Sequence, residues 1–178
     1  RYSWFPALRS ARLEAGGRPI RMRLLGKDLV AFRGHDGRVG VLDERCPHRG
    51  ASMALARNED CALRCIFHGW KINACGELID VPNEPHRPEG IKKAVKIPRY
   101  MAREAAGLLW VWIGSGGEAP EFPDYEFMHL PPEQVTVWFQ PSKCNWFQAL
   151  EGAIDSSHVG VLHQGQLKNF SAQIQHAS

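Results

Sequence analysis

The sequence lacks any apolar run long enough to cross a membrane. Its longest strongly apolar stretch, Leu108 to Ile113, falls far short of the roughly 20 residues a spanning helix needs. No signal peptide is visible, and the first residue is Arg1 rather than Met, which reads as a trimmed start. Charge of one sign is also scarce. Lys and Arg (22) against Asp and Glu (19) leave only +3, too little to argue for a nucleic-acid partner. Cysteine is few and odd in number: Cys46, Cys61, Cys65, Cys75 and Cys144. An odd count without a secretory signal argues against a disulfide framework. These absences point to a soluble cytoplasmic protein with no membrane contact. No internal repeat is present.

What the chain does have is an ordinary globular balance, 44% hydrophobic and 23% charged over 178 residues. That excludes a disordered tail and suffices for a core without covalent staples. Gly (17) and Pro (12) are somewhat abundant, favouring short strands and many turns over a helix bundle. Ile20 to Leu25, Asp28 to Arg33 and Val39 to Asp43 read as strands, the last two joined through the Asp36-Gly37 turn signal. Trp70 to Asn73 and Glu77 to Asp80 read as a hairpin, and Lys96 to Arg99 and Leu108 to Ile113 as further strands. Composition shifts at Gly114-Ser115-Gly116-Gly117, which divides the chain into domains at 1–117 and 118–178. Past a Pro-rich crossing loop, Val135 to Gln140 reads as a strand. Asn145 to Leu162 reads as helix broken at Gly152 and Gly160.

Chemistry concentrates in two places. The first is Cys46-Pro47-His48-Arg49-Gly50 followed by Cys65-Ile66-Phe67-His68-Gly69-Trp70. Each loop offers one thiolate and one imidazole. Gly50 and Gly69 allow tight turning and leave backbone N–H groups free to point at sulfur. Two metal groups suit this set. A single tetrahedral zinc takes Cys2His2, whereas a [2Fe–2S] cluster takes two cysteines on one iron and two histidines on the other. Cys-x-His is tight for chelating one ion, which favours two irons.

The spacing C-x-H-x16-C-x2-H resembles the Rieske iron–sulfur signature. Replacing two thiolates by neutral imidazoles raises the potential into a window of about −150 to +300 mV. Respiratory Rieske proteins carry an extra cysteine pair bridging the loops. Ala51 and Phe67 stand at those positions here, so the resemblance is to Rieske ferredoxins and ring-hydroxylating oxygenases. An electron carrier with no chemistry of its own accounts for this first constellation alone.

The second constellation is Asp155-x2-His158-x4-His163 within Asn145 to His163. On an ideal helix Asp155 and His158 lie about 60° apart, but His158 and His163 about 140° apart. A π-turn or kink at Gly160 is expected to close that gap. Two histidines and a carboxylate form the facial triad of non-haem Fe(II) oxygenases. Unaided, the pattern is weak, since helical histidines are more often simply packed or exposed.

Together the two constellations resemble the oxygenase component of Rieske non-haem iron ring-hydroxylating oxygenases, in the phthalate-dioxygenase-like branch. The resemblance implies a mainly β Rieske domain, an antiparallel β-sandwich, followed by the start of an α+β catalytic domain of helix-grip type. It implies Cys46, His48, Cys65 and His68 on the cluster and His158 and His163 on a mononuclear Fe(II). Asp155 is then a bridge that orients His158 and reaches a cluster histidine of the neighbouring subunit in a homotrimer. The third iron ligand of the family is a later Asp. From 164 to 178 there is neither Asp nor Glu, so a longer protein is expected, or else Asp155 or Glu151 must ligate. O2 is the implied co-substrate, with electrons from NAD(P)H through a reductase or ferredoxin. The implied reaction is hydroxylation or O-demethylation of an aromatic, carboxylated substrate in a bacterial cytoplasm.

Other residues carry less. Cys61, Cys75 and Cys144 have no histidine at ligand spacing and read as inert thiols. Arg49 and Trp70 divide evenly between loop packing and service to the cluster. The basic run Ile91 to Lys96 with Arg99 reads as a solvated strand edge, with docking of an acidic electron donor as the alternative. Trp4, Trp110, Trp112 and Trp138 read as core or interface.

Overall fold

Leu29, Val30, Ala31 and Phe32 are consecutive and fully buried. Successive strand residues point to opposite faces, so this segment needs a packed layer on each side. The computed structural model describes residues 3–114 and 118–163. In chain order its strands are β1 (Trp4–Arg9), β2 (Ile20–Leu24), β3 (Lys27–Arg33), β4 (Val39–Asp43), β5 (Arg57–Glu59) and β6 (Ala62–Arg64). β7 (Lys71–Asn73), β8 (Leu78–Asp80), β9 (Ala102–Ala105) and β10 (Leu108–Trp112) follow, with helices α1 (Pro88–Ala94), α2 (Trp146–Ile154) and α3 (Val159–Leu162). The chain divides into compact units Arg1–Val137 and Trp138–Ser178.

Three antiparallel sheets build the first unit, in the orders β1-β10-β9, β2-β3-β4 and β5-β6-β7-β8. Alternation along β3 and β4 feeds two cores. Leu29, Ala31 and Val41 join Leu8, Leu109 and Val111 on one face. Val30, Phe32 and Leu42 join Leu63, Trp70, Ile72 and both Cys46 and Cys65 on the other. The fold is thus the mainly β, antiparallel architecture that the sequence implies. The Cys/His loops hang from the second core.

Two-residue turns set the register. Leu25-Gly26, Asp60-Cys61 and Ala106-Gly107 all have positive φ and join paired strands, as two-residue hairpin turns whose twist matches that of the flanking strands require. None reads as the strong Asn-Gly or Asp-Gly signal, which is why β5, β6 and β9 are not evident from sequence. The Asp36-Gly37 turn does join β3 to β4, through Gly34 N–H donating to Arg38 O at 2.9 Å.

Several expected elements differ. Lys96 to Arg99 is no strand. It makes single bridges, Glu77 to Lys96 and Leu42 to Arg99, because Pro98 has no N–H to continue a ladder. The basic run is not a strand edge either. Its first part, Ile91 to Ala94, lies in α1, started by Pro88 at its first turn, with Ile91 and the C-cap Val95 against the core and Lys92 paired to Glu89 at 3.1 Å. Val135 to Gln140 forms no ladder. Its apolar residues satisfy strand propensity, but a strand needs a paired neighbour. Residues 115–117 of the glycine-rich boundary lie outside the described residues.

The helical region also breaks elsewhere than expected. Gly152 sits inside α2 and Gly160 inside α3. A single glycine costs about 1 kcal/mol in a helix without ending it. The break falls at Asp155, the extended C-cap of α2 with ψ 106°, where Asp155, Ser156 and Ser157 favour local side-chain bonds over helix. Among the tryptophans, Trp4 and Trp110 are buried, whereas Trp138 is 87% exposed. No described helix is long and apolar enough to cross a membrane.

Candidate metal centre

Two loops present the first constellation in matching frames. Cys46 N–H donates to Ala51 O at 2.8 Å and Gly50 N–H to Cys46 O at 2.9 Å. Cys65 N–H donates to Trp70 O at 2.8 Å and Gly69 N–H to Cys65 O at 3.0 Å. Gly50 and Gly69 close these turns at φ +70° and +76°, a conformation glycine adopts without steric cost. The glycine N–H groups are therefore spent on closing the loops. In the first loop it is the N–H groups of His48 and Arg49 that point at the Cys46 sulfur.

The donors meet as two pairs, thiol with thiol and imidazole with imidazole. Cys46 and Cys65 are both 3% exposed, and their thiols lie within hydrogen-bonding reach of each other. The rings of His48 and His68 stand edge to face, 4.5 Å between centroids, and both are half-buried. Sulfur thus lies inside and imidazole towards the surface. Burial, set against the N–H groups of His48 and Arg49, pushes the Cys46 thiol up to about 11. Burial, with repulsion from His68 and Arg49, lowers the His48 pKa, which keeps the imidazole neutral, the form that ligates metals.

One observation bears directly on fit. His48 Nδ1 is buried with no hydrogen-bond partner, a costly state for a polar atom that a metal bond would relieve. Two buried thiols and two imidazoles suit a cluster with cysteine on one side and histidine on the other.

Neighbours brace the loops. Glu44, 1% exposed, accepts from Ser52 Oγ at 2.5 Å and faces Arg21 Nε at 3.2 Å, which ties the two ends of the first loop. Trp70 stacks on His48 with 4.6 Å between centroids and 12° between planes. Its indole N–H donates to Asn83 Oδ1 at 2.6 Å. Sequence reasoning weighed Trp70 and Arg49 but missed Glu44 and Asn83. No local motif marks either, because each is recruited by folding. Arg49 is exposed on the first loop. Cys61 is half-buried beneath Gly34, and Cys75 and Cys144 are exposed.

In the second unit Asp155, His158 and His163 also gather, though not on one helix face. His158 is the N-cap and His163 the C-cap of α3. Their rings are 5.5 Å apart between centroids, so a single helical turn, with no kink at Gly160, brings them together. Asp155 Oδ2 lies 3.1 Å from His158 Nδ1, while Oδ1 accepts from both Ser157 N–H (2.8 Å) and Ser157 Oγ (2.6 Å). These bonds, the Ser157 hydroxyl first, hold Asp155 ionised with a pKa of about 2. A carboxylate on Nδ1 fixes the tautomer that leaves the other ring nitrogen for a metal.

Known proteins match both parts. The family model of the Rieske [2Fe-2S] domain matches residues 3–100, more than half the chain, and that of the LigXa C-terminal domain like family matches 111–178. The oxygenase subunit of 3-chlorobenzoate-3,4-dioxygenase from Comamonas testosteroni is 49% identical over 92% of this chain and 38% of its own length. The phthalate 4,5-dioxygenase oxygenase subunit of Pseudomonas putida is 45% identical over 84% and 34%. The oxygenase in a carbazole 1,9a-dioxygenase oxygenase–ferredoxin complex superposes with TM-score 0.60 at 27% identity, covering 68% of this chain and 31% of that one. The chain spans between 31% and 49% of the length of the curated relatives it matches. The match decides for the iron–sulfur cluster over zinc. The chain belongs to the Rieske [2Fe–2S] domain family, in the ring-hydroxylating oxygenase branch that includes phthalate dioxygenase.

Proposed function

We propose that the protein is the terminal oxygenase component of a multicomponent system that hydroxylates or O-demethylates an aromatic carboxylate. Residues 1–117 form its Rieske domain and 118–178 begin its catalytic domain. Cys46, His48, Cys65 and His68 hold the cluster, and His158 and His163 hold a mononuclear Fe(II). When bound, the cluster supplies one-electron transfer and the iron supplies O2 activation. Electrons come from NAD(P)H through a reductase or ferredoxin.

The chain's own residues do the positioning. Buried sulfur keeps one side of the first centre dry, and the half-buried imidazoles form its outward edge, where a second redox partner gains access. Asp155 keeps His158 in one tautomer. Its contact with a cluster histidine across a trimer interface would make the neighbouring subunit part of the site. Charge adjacent to the outward edge is supplied by Arg49, which suits an acidic electron donor.

The observation that carries this reading is the coexistence of two separate donor sets, Cys46/His48/Cys65/His68 and Asp155/His158/His163, on one chain. An electron carrier needs only the first. The aromatic carboxylate is supported by relatives named for chlorobenzoate and phthalate.

The test is iron and acid-labile sulfide per chain on the full-length protein, with EPR after reduction. About three irons to two sulfides is expected. About two to two, unchanged by added Fe(II) and without oxygen uptake on aromatic acids, would leave the electron carrier instead. Asp155→Asn is expected to keep the cluster's visible spectrum and lose most coupled product, and unimpaired turnover would remove the bridging role.

A further inference from the structure

The cluster loops are two, but a third segment closes on them. Val81 is buried in the same core as Cys46 and Cys65, and Glu84 N–H donates to Val81 O at 3.0 Å, folding residues 81–84 into a turn. Pro82 of this turn occupies the space beside Gly69, where a Cβ would stand 2.8 Å from Pro82 Cγ. Asn83 accepts the indole N–H of Trp70 at 2.6 Å, and Glu84 is close enough for its charge to act on His48. Three successive residues therefore address the second loop, its tryptophan and a histidine of the first.

We propose that Asn83 is a positioning residue for the cluster, acting through Trp70 on His48. This rests on the assignment of His48 as a cluster ligand. Trp70 is 5% exposed, and a buried indole N–H without an acceptor is costly. Asn83 thus fixes the ring in the plane that stacks on His48 at 12°. Asn83 is itself exposed, so the interior gives no reason for an amide at this position.

The stack has a definite electrical sense. The indole face is electron-rich and favours the imidazole when the metal draws most charge from it, in the oxidised cluster. The same ring keeps water off His48, and a dry surround disfavours the extra negative charge of the reduced cluster. Both effects lower the midpoint potential, so loosening the stack raises it.

The experiment is a redox titration of the full-length, cluster-loaded protein, followed by EPR and visible circular dichroism. Asn83→Leu removes the acceptor and blocks a substituting water, so the potential is expected to rise. Asn83→Asp keeps an acceptor and adds negative charge, so its potential should stay at or below that of the parent. Trp70→Phe should rise like Asn83→Leu, and the double variant should rise no further than Trp70→Phe alone. An unchanged potential in Asn83→Leu at full sulfide content would overturn the proposal, as would an equal additional shift in the Trp70→Phe background. If Asn83→Leu does not retain its cluster, Asn83→Val removes the acceptor with less bulk, still fills the space with apolar atoms, and carries the same prediction. A purely structural role would lower the melting temperature and leave the potential in place. Nitrogen couplings from both imidazoles in 15N-histidine-labelled parent test the ligand assignment separately, so its failure is distinguishable.

Discussion

Ser157 donates twice to one oxygen of Asp155, from its N–H at 2.8 Å and its hydroxyl at 2.6 Å, and leaves the other oxygen to His158 at 3.1 Å. One side chain thereby sets which lone pairs of a carboxylate remain for a histidine. Ser157→Ala should weaken Fe(II) retention several-fold while sulfide content stays unchanged, measured by metal analysis after dialysis against a chelator.

The same contact has a pH signature. The folded pKa of Asp155 is depressed to about 2 from 3.8. Its stabilising contribution is therefore fully present above the ordinary carboxylate value and lost as pH falls through about 2. The 13C carboxyl shift of Asp155 should titrate near pH 2 in the parent and closer to the ordinary value in Ser157→Ala.

Cys46 titrates with the opposite sense. Burial raises the thiol from 9.0 to about 11 in the metal-free protein. A raised thiol pKa favours the fold below the unfolded value and removes that contribution as pH rises through the folded one. Melting temperature of the metal-free protein should therefore fall between about pH 9 and 11. Cys46→Ser should flatten that fall.

Glu44 is a buried acid whose removal takes away the acceptor of the Ser52 hydroxyl and the nearer carboxylate facing Arg21. Glu44→Ala should cost about 1–3 kcal/mol in denaturant unfolding and speed cluster loss. Glu44→Gln keeps an acceptor for Ser52, so it should cost less.

Gly69 stands at φ +76° with Pro82 in the space its Cβ would take. Gly69→Ala should cost about 1–3 kcal/mol from backbone strain and crowding, with slower cluster assembly measured by absorbance during reconstitution.

Much of this protein is legible locally. Cys46, His48, Cys65 and His68 announce themselves by spacing, since a cluster needs its donors on short loops. The strands from Ile20 to Asp43 are legible because alternation and turn residues agree there. Other features are illegible for definite reasons. α1 covers part of a basic run that composition alone reads as a strand edge. Lys96 to Arg99 and Val135 to Gln140 have strand composition, but ladders depend on partners that composition does not supply. The helix break at Asp155 arises because side-chain bonds from Ser157 compete with the backbone, whereas Gly152 and Gly160 merely weaken a helix.

The amino-acid sequence alone marked Cys46, His48, Cys65 and His68 as the candidate ligands and gave the first centre its Rieske character, because metal chemistry constrains residue type and short-range spacing. Tertiary structure decided which residues surround that chemistry. Glu44 closes one loop from beneath, and Asn83, 13 positions beyond Trp70, holds the indole on His48. Such contacts join residues that have no reason to be read together until the sheets are stacked. Packing distance, unlike ligand spacing, is not written along the chain.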